Sequence, residues 1–425
     1  MRRTTAQFAA ALVLCSGLTP IAVAQAAHSF QASLPSTPDV KVVNQNGMQR
    51  AAAGKSVATP GVSATQIVIG NISPAQDADD DTGTTVQAVL SGYFDDVNQR
   101  GGIYGRQISL RFADSGGSDL ATAKSARRLA AAPVFAMVAP FAPGTEKSLA
   151  ALAHTSKLPV VGLMALSVPA EPLNREVFYL LPGFEQLEQE LVRFAAVEGT
   201  RTTDKTAVVV ADAKLETSVS PAMQVVWKEL GEGKAREFSF SPANGPQVIH
   251  ELQSQGIDTV FFVGDGEQAS QWVQAADKAG WSPKTFVLGA LMDESILSAP
   301  ARFQGRIFAA YPELEPEMGA VDEFEDFLQR HQLSHDHRLI QISAYCSAKI
   351  FVDALARAGK NPTREKLILN LEQMRDFKTG LLPSITFGPN RRIGSFKAEI
   401  VCADLVSHSF QPECGKTPSK SPAPE

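Results

Sequence analysis

Short apolar runs alternate with helical patterns along most of this chain. The run from Ile67 to Ile72 is short and continuous, as expected of a strand that is buried on both faces. A polar loop, an amphipathic helix ending at Gly101 and Gly102, and a second strand follow it. This alternation predicts an α/β protein with a parallel sheet, and such sheets bind ligands at the carboxyl ends of their strands.

The predicted strands fall into two groups with helices between them. The first group lies at 67–72, 107–113, 134–138 and 158–163, and the second at 206–211, 235–240, 257–263, 285–289 and 305–310. Predicted helices include 215–230, 267–279, 321–330, 339–358 and 363–374, and two strand-like segments follow at 384–387 and 395–401. Two groups of this kind predict two lobes, each with its own sheet.

Length and composition agree with a two-domain globular protein. The chain has 425 residues, of which 44% are hydrophobic and 20% charged, and single cores stop growing well below this length. No apolar run is long enough to cross a bilayer, so we expect no membrane-spanning segment. The formal net charge of −6 argues against a nucleic-acid partner.

The N-terminus has the pattern of a secretory signal peptide. Arg2 and Arg3 precede an apolar stretch from Phe8 to Leu14, and small residues suited to cleavage follow by Ala26. We predict a signal peptide at 1–27, a flexible linker at 28–60 and a disordered tail at 413–425, since both flanking segments lack periodicity. The mature protein is therefore expected in an exported compartment, the periplasm.

The cysteines support an exported protein. Cys15 leaves with the signal peptide, whereas Cys402 and Cys414 lie close together near the C-terminus, where a disulfide can persist after export. We predict a Cys402–Cys414 disulfide. Cys346 lies in an apolar helical pattern and is expected to be a buried free thiol.

Four blocks of sequence resemble one protein family. They are the stretch from Gly61 to Gly116 with its YFDDVNQRGGIYGR helix, the block LNREVFYLLPGFEQLEQELVRFAAVEG, the block GIDTVFFVGDGEQASQWVQAADKAGW and the block AYCSAKIFVDALARAGKNPTREKLILNLEQM. In this order they resemble the periplasmic substrate-binding proteins of branched-chain amino acid ABC transporters. The resemblance covers about residues 61–405.

The resemblance implies a type I periplasmic binding fold. Two doubly wound, Rossmann-like lobes would exchange chain at three crossover hinges, placed near Pro182, Pro312 and Gly380. The first lobe would comprise 61–182 and 313–380, and the second 183–312 and 381–412. A small ligand would be clamped between the lobes, which close by bending at the crossings.

Carrying the family's binding positions onto this chain gives a set of candidate ligand-binding residues. They are Ser73, Pro74, Thr82, Gly83, Phe141, Thr145, Leu166, Ser167, Phe184, Asp265 and Glu267. Pro140 and Pro143 lack N–H donors in the loop where relatives hold a carboxylate, so this loop departs from the amino acid pattern.

Several of these residues have a simpler interpretation. Ser73, Thr82 and Thr145 stand where hydroxyls cap helices, and Asp265 and Glu267 stand where acids favour a first helical turn. We interpret the acidic run Asp77 to Asp81 as a solvated loop, and the histidines His331, His335 and His337 as a solvated turn rather than a metal site.

The sequence thus predicts an exported solute-binding protein that delivers an amino acid-like ligand or a carboxylate to the permease subunits of an ABC importer. No nucleophile elbow, metalloprotease helix or phosphate loop appears in it, so we expect no enzyme activity, no cofactor and no metal. A monomer is expected. The alternative is a ligand-sensing or protein-interaction module that uses the same fold without transport.

Overall fold

The computed structural model describes most of the chain beyond Thr59. The described residues are 59–74, 81–116, 118–141, 145–165, 168, 174–199, 202–292, 294–335 and 337–412, and the side chains at 119, 213–218, 290 and 294 are outside the description. The predicted signal peptide, most of the linker, the tail, Leu166, Ser167 and Cys414 lie outside the described residues.

A first sheet contains five parallel strands. They are β1 (Gln66–Ser73), β2 (Gln107–Asp114), β3 (Met137–Val138), β4 (Val160–Val161) and β5 (Val177–Phe178). Their order is β2-β1-β3-β4-β5, with Gln66 opposite Gln107 and Gly70 opposite Met137. The strand order reverses between β1 and β3, which makes their carboxyl ends the point where such sheets open a ligand crevice.

A second sheet contains seven strands. They are β6 (Thr206–Val210), β7 (Arg236–Ser239), β8 (Thr259–Val263), β9 (Lys284–Leu288), β10 (Ile307–Pro312), β11 (Ala398–Asp404) and β12 (Ser409–Gln411). Their order is β12-β11-β10-β9-β8-β6-β7, and β11 and β12 are antiparallel to their neighbours. The five parallel strands repeat the order of the first sheet. The short strand β12 was not predicted.

Ten α-helices are described. They are α1 (Thr82–Gln99), α2 (Asp119–Ala131), α3 (Glu146–Ser156), α4 (Phe184–Val197), α5 (Ala213–Glu229), α6 (Gly245–Ser254), α7 (Gly266–Lys278), α8 (Met318–Arg330), α9 (Arg338–Arg357) and α10 (Arg364–Glu372). The predicted glycine stop after α1 is confirmed: Gly102 has φ +67°, and a Cβ there would lie 2.1 Å from the Arg106 carbonyl oxygen.

The helices cover both faces of the first sheet. Side chains of α1, α8, α9 and α10 form one apolar cluster with it, and side chains of α2 and α3 form another. The helices α4 to α7 pack with the second sheet in a third cluster. Two doubly wound lobes result, as predicted.

Helix α9 is long and apolar enough to cross a membrane by length and composition. However, 78% of its apolar window is buried inside the fold. It contacts α1, α10, β3 and β4, so it is a core helix of the first lobe. Cys346 on this helix is a buried free thiol, as predicted, and burial raises its pKa to about 12.

The chain passes between the lobes at three neighbouring segments. The first follows β5 and reaches α4 at Phe184, and the second follows β10 and reaches α8. The third leads into β11 and lies beside the other two, since the Ser395 N–H donates to the Leu180 carbonyl (3.0 Å) and the Glu313 N–H donates to the Lys397 carbonyl (3.1 Å).

The third crossing lies later in the chain than predicted. Leu381, Leu382 and Ile385 are buried in the first lobe's core, and Ile393 pairs with Tyr179 beside β5. Residues 381–394 therefore pack with the first lobe, whereas the predicted boundary at Gly380 assigned them to the second. The apolar run after Gly380 looks strand-like in sequence, but it buries its side chains near α9 instead of joining the second sheet.

Candidate functional site

A pocket lies where the carboxyl edge of the first sheet meets the beginning of the second lobe. Its empty volume is about 670 Å³, including solvent at its open side. It is lined by Phe141, Gly162, Leu163, Met164, Ala165, Leu180, Leu181, Pro182, Gly183, Phe184, Leu187, Pro312, Leu339, Ile340, Ser343 and Ser347. The lining combines the residues after β3 and β4, two of the crossings, the first turn of α4 and the first turns of α9.

The shape of the pocket depends on a close contact between β4 and α9. Gly162 has φ +72°, and a Cβ at this position would lie only 1.8 Å from the Ser347 hydroxyl oxygen. Only glycine permits both this backbone conformation and this approach. The Ser347 hydroxyl donates to the Ser343 carbonyl (2.6 Å), which keeps it against its own helix.

The described lining carries no charged side chain. Its side chains are aliphatic, aromatic or proline, apart from the hydroxyls of Ser343 and Ser347 and the two glycines. Because an unpaired charge is costly to remove from water, such a lining favours an uncharged, apolar group.

Most of the backbone donors in this lining are already used. The N–H groups of Phe141 and Gly162 donate to the carbonyls of Ile72 and Phe178, each at 2.8 Å, and the Met164 N–H donates to Pro140 at 3.0 Å. The Gly183 N–H donates to the Gln186 side chain at 3.0 Å. These groups serve the fold, so they are not available as an anion-binding set.

Two predicted binding residues, Phe141 and Phe184, line this pocket. Phe141 follows β3 and pairs with Met164 after β4, whereas Phe184 is the first residue of α4 and belongs to the core of the second lobe. The structure thus brings one aromatic ring from each lobe to the same pocket. Contact with a ligand stays a prediction for both residues.

A second group of predicted residues lies at the end of β1. The buried Ser73 hydroxyl accepts a hydrogen bond from the Gln87 amide (3.0 Å). Thr82 and Gly83 begin α1, and a Cβ on Gly83 would lie 2.0 Å from the Pro74 carbonyl oxygen. These four residues pack together at the carboxyl edge of the sheet but are not part of the pocket lining.

Thr145 is also separate from the pocket lining. It is buried at the start of α3, where its carbonyl accepts from the Leu149 N–H (3.3 Å). Its hydroxyl accepts no capping hydrogen bond from the helix, so the simple capping interpretation does not explain this residue.

In the second lobe, Asp265 caps α7. Its carboxylate accepts from the Gln268 N–H, and the Gln268 side chain accepts from the Asp265 N–H, each at 2.9 Å. This reciprocal pair is a capping box. Glu267 is exposed in the first turn of the same helix. The geometry accounts for Asp265 by helix capping, and a ligand role for either acid stays a prediction.

The histidines pair with three different carboxylates. His331 contacts Asp96 (3.0 Å), His335 contacts Glu325 (3.4 Å) and His337 contacts Asp81 (2.6 Å). Within the described residues no group of three or more His, Cys, Asp or Glu side chains is arranged to hold a metal ion.

One acid near the pocket is unusual. Glu188 lies one helical turn after Phe184 on α4 and is completely buried, and neither of its carboxyl oxygens has a hydrogen-bond partner among the described residues. Burial raises the pKa of this carboxyl to about 8, so it is mainly protonated at neutral pH.

The contribution of α9 and of the crossings to the pocket was not predicted from the sequence. Leu339, Ser343 and Ser347 are spaced by four residues and therefore share one face of α9. That spacing is visible in the sequence, but α9 is apolar around most of its circumference. Its pocket face could not be separated from its core face without the packing of the first lobe.

Comparison with known proteins agrees with this architecture. A family model described as "Periplasmic binding protein" matches residues 66–401, whereas no curated protein matches the chain. A solved structure of a possible leucine/isoleucine/valine-binding protein from Rhodopirellula baltica SH 1 is similar, with 16% identity, a TM-score of 0.63 and coverage of 84% of this chain and 97% of that chain.

Two further solved structures differ in the ligands that their descriptions name. A branched-chain amino acid ABC transporter protein from Thermus thermophilus with bound valine has 15% identity and a TM-score of 0.62, covering 82% of this chain and 95% of that chain. A fatty acid ABC transporter substrate-binding protein from Thermomonospora curvata has 18% identity and a TM-score of 0.63, covering 82% and 91%. At these identities the likeness establishes the fold.

Proposed function

The chain belongs to the periplasmic binding protein family, and on that premise we propose that it captures a small solute between its lobes and delivers it to an ABC importer. The observation that carries this proposal is the pocket between the carboxyl edge of the first sheet and the start of α4. Its lining comes from both lobes, so a ligand held there favours the closed arrangement of the lobes.

The three crossings supply a hinge for this mechanism. They lie side by side and are joined by backbone hydrogen bonds at Leu180 and Lys397, and Lys397 also forms an ion pair with Glu315. Small changes in the backbone dihedrals of these segments would rotate one lobe against the other while each sheet stays intact. Binding would proceed without making or breaking a covalent bond.

Calorimetry of the full chain against amino acids and small organic acids tests the proposal. We expect saturable binding of at least one compound with a stoichiometry of one. Absence of binding across both classes would contradict a solute-binding role. Adjacent permease and ATPase genes would favour import over the sensing alternative, and a reconstituted importer stimulated by the loaded protein would establish delivery.

We also propose export through the N-terminal segment, with the periplasm as destination. The basic, apolar and small-residue order of residues 1–27 supports it, as does membership of the family. N-terminal sequencing of the protein recovered from the periplasm should begin near residue 27. An uncleaved N-terminus starting at Met1 in a cytoplasmic fraction would contradict export.

The Cys402–Cys414 disulfide remains a proposal. Cys402 is buried in β11 opposite Gln411 of β12, and Cys414 follows Gln411 by only three positions, so it can return to Cys402 without a long loop. Peptide mapping of the non-reduced protein should recover the two cysteines in one linked peptide. Recovery of both as alkylated free thiols would exclude the bond.

A further inference from the structure

We propose that the pocket at the lobe crossing binds the uncharged hydrocarbon part of an aliphatic monocarboxylate, and that the solute is not a zwitterionic amino acid. This inference rests on the proposed solute-binding function and specifies its substrate class. The charged head group would remain at the open side of the pocket, in contact with water. The hydrocarbon tail would lie between Phe141 and Phe184.

Charge separates the two ligand classes. An amino acid carries an ammonium as well as a carboxylate, and each of these ions needs water or an opposite charge as a partner, because an unpaired ion in an apolar site is strongly destabilised. The described lining offers neither an acid nor a base. Asp265, the predicted acid of the second lobe, caps α7 and is not part of this lining.

The hydrogen bonds of the lining also favour an uncharged ligand group. Pro182 and Pro312 have no N–H group, and the N–H groups of Phe141, Gly162 and Gly183 already donate within the protein. The Ser347 hydroxyl donates to its own helix. The Ser343 hydroxyl has no described partner, and only 6% of this residue is exposed, so it is placed to serve one neutral polar atom of a ligand.

Core packing holds the two aromatic walls of the pocket. Phe141 and Phe184 are each only 2% exposed and belong to the cores of different lobes, and Gly162 meets Ser347 in direct contact. Each ring is therefore held by the core of its own lobe, so closure of the lobes brings two fixed apolar walls together around an apolar recess. Apolar ligands gain affinity in such a recess in proportion to the hydrocarbon surface that they bury.

A matched pair of probes separates the two ligand classes. Leucine and 4-methylpentanoate share the same carbon skeleton and differ by the α-ammonium group. Calorimetry with the full chain should give 4-methylpentanoate a dissociation constant that is lower than that of leucine, or at most threefold higher. Leucine binding more than threefold tighter would overturn the inference and leave the solute-binding function in place.

A chain-length series measures the hydrocarbon contact directly. Across hexanoate, octanoate and decanoate we expect the dissociation constant to fall by about threefold to fourfold per added methylene, the gain expected for burying one CH₂ group. A series with no dependence on length would overturn the inference, as would no binding of any alkanoate at millimolar concentration. In the latter case, binding of an amino acid in the same assay would still support the proposed function.

Substitution of a lining residue locates the site. Ala165→Phe should fill the pocket and weaken decanoate binding at least tenfold. Ala151→Phe, the same change on an exposed part of α3, should leave binding within twofold. Equal binding by both folded variants would overturn the assignment of this pocket. The chain-length series needs no substitution, so it tests the hydrocarbon contact even if Ala165→Phe does not fold.

Discussion

Glu188 illustrates how a single buried acid can set the pH dependence of the second lobe. It is completely buried on α4 and has no hydrogen-bond partner in the part of the chain that the structure describes, and burial raises its pKa from 4.5 to about 8. The folded protein therefore holds a proton that the unfolded chain releases between these pH values. The contribution of Glu188 to stability is fully present below pH 4.5 and is lost as the pH rises through 8.

Glu188→Gln should remove this dependence, because the amide does not titrate. The natural protein should lose about 3 kcal/mol of its free energy of unfolding between pH 5 and pH 8 that the variant does not lose. Urea unfolding at several pH values measures it. Glu190→Gln is the control, since Glu190 is half-buried and pairs with Arg193 at 2.7 Å. An equal pH profile for both variants would contradict the assigned pKa.

Gly162 is the residue whose replacement should be most costly at the pocket. Gly162→Ala introduces both the strain of a positive φ and a collision with the Ser347 hydroxyl, which together should lower the free energy of unfolding by roughly 2 to 5 kcal/mol. Gly256→Ala is a matched control, because Gly256 has φ +68° but a Cβ added there would have no neighbouring atom within 4 Å. Gly256→Ala should lower the free energy of unfolding by only about 1 kcal/mol. Equal losses in the two variants would contradict the close contact between Gly162 and Ser347.

At the scale of elements, α7 shows how a predicted binding residue can have a local structural role. The capping box of Asp265 and Gln268 satisfies donors at the helix start. Its sequence signal, an acid before a helix with Gln three positions later, was compatible with both capping and binding. The hydrogen bonds show the capping role, and the ligand role of Asp265 stays a prediction.

Asp265→Ala should lower the free energy of unfolding by about 1 kcal/mol, whereas Asp265→Asn should keep most of the stability because asparagine also caps helices well. Urea unfolding compares the two variants. Solute binding is measured in parallel: equal affinity for both variants and the natural protein fits a capping role. Loss of binding in a stable Asp265→Asn variant would instead assign the carboxylate to the ligand.

Most helix and strand positions could be predicted because each element carries its own apolar period. The helix predicted at 267–279 is observed at Gly266–Lys278, and the strand predicted at 257–263 is observed at Thr259–Val263. The third crossing could not be placed in this way. The apolar run after Gly380 suits either lobe by its local pattern, and its position depends on the space available beside α9 and β5.

At the scale of the whole molecule, the crossings and the pocket form one unit. Leu180 accepts a hydrogen bond from Ser395 at the crossings and also lines the pocket, and Pro312 at the end of β10 lines it as well. A solute that contacts these residues is therefore placed to couple its own binding to bending at the hinge.

Lobe closure predicts a change in overall dimensions. With a saturating amount of a solute that binds in calorimetry, small-angle scattering of the full chain should show a smaller radius of gyration than without it. The Ala165→Phe variant at the same solute concentration should keep the ligand-free value. Binding with no change in the radius of gyration would contradict closure as the response to solute.

The α/β architecture, the two lobes, the buried thiol of Cys346 and the family could all be predicted from the sequence, because these follow from local periodicity and from long blocks of characteristic sequence. The sequence also pointed to Phe141 and Phe184. Which residues share a pocket depends on the tertiary structure, since Ser343 on α9, Gly162 after β4 and Pro312 at the end of β10 are brought together by sheet order and core packing. The described lining is uncharged because of which residues the fold brings together, and no single segment of the sequence predicts this.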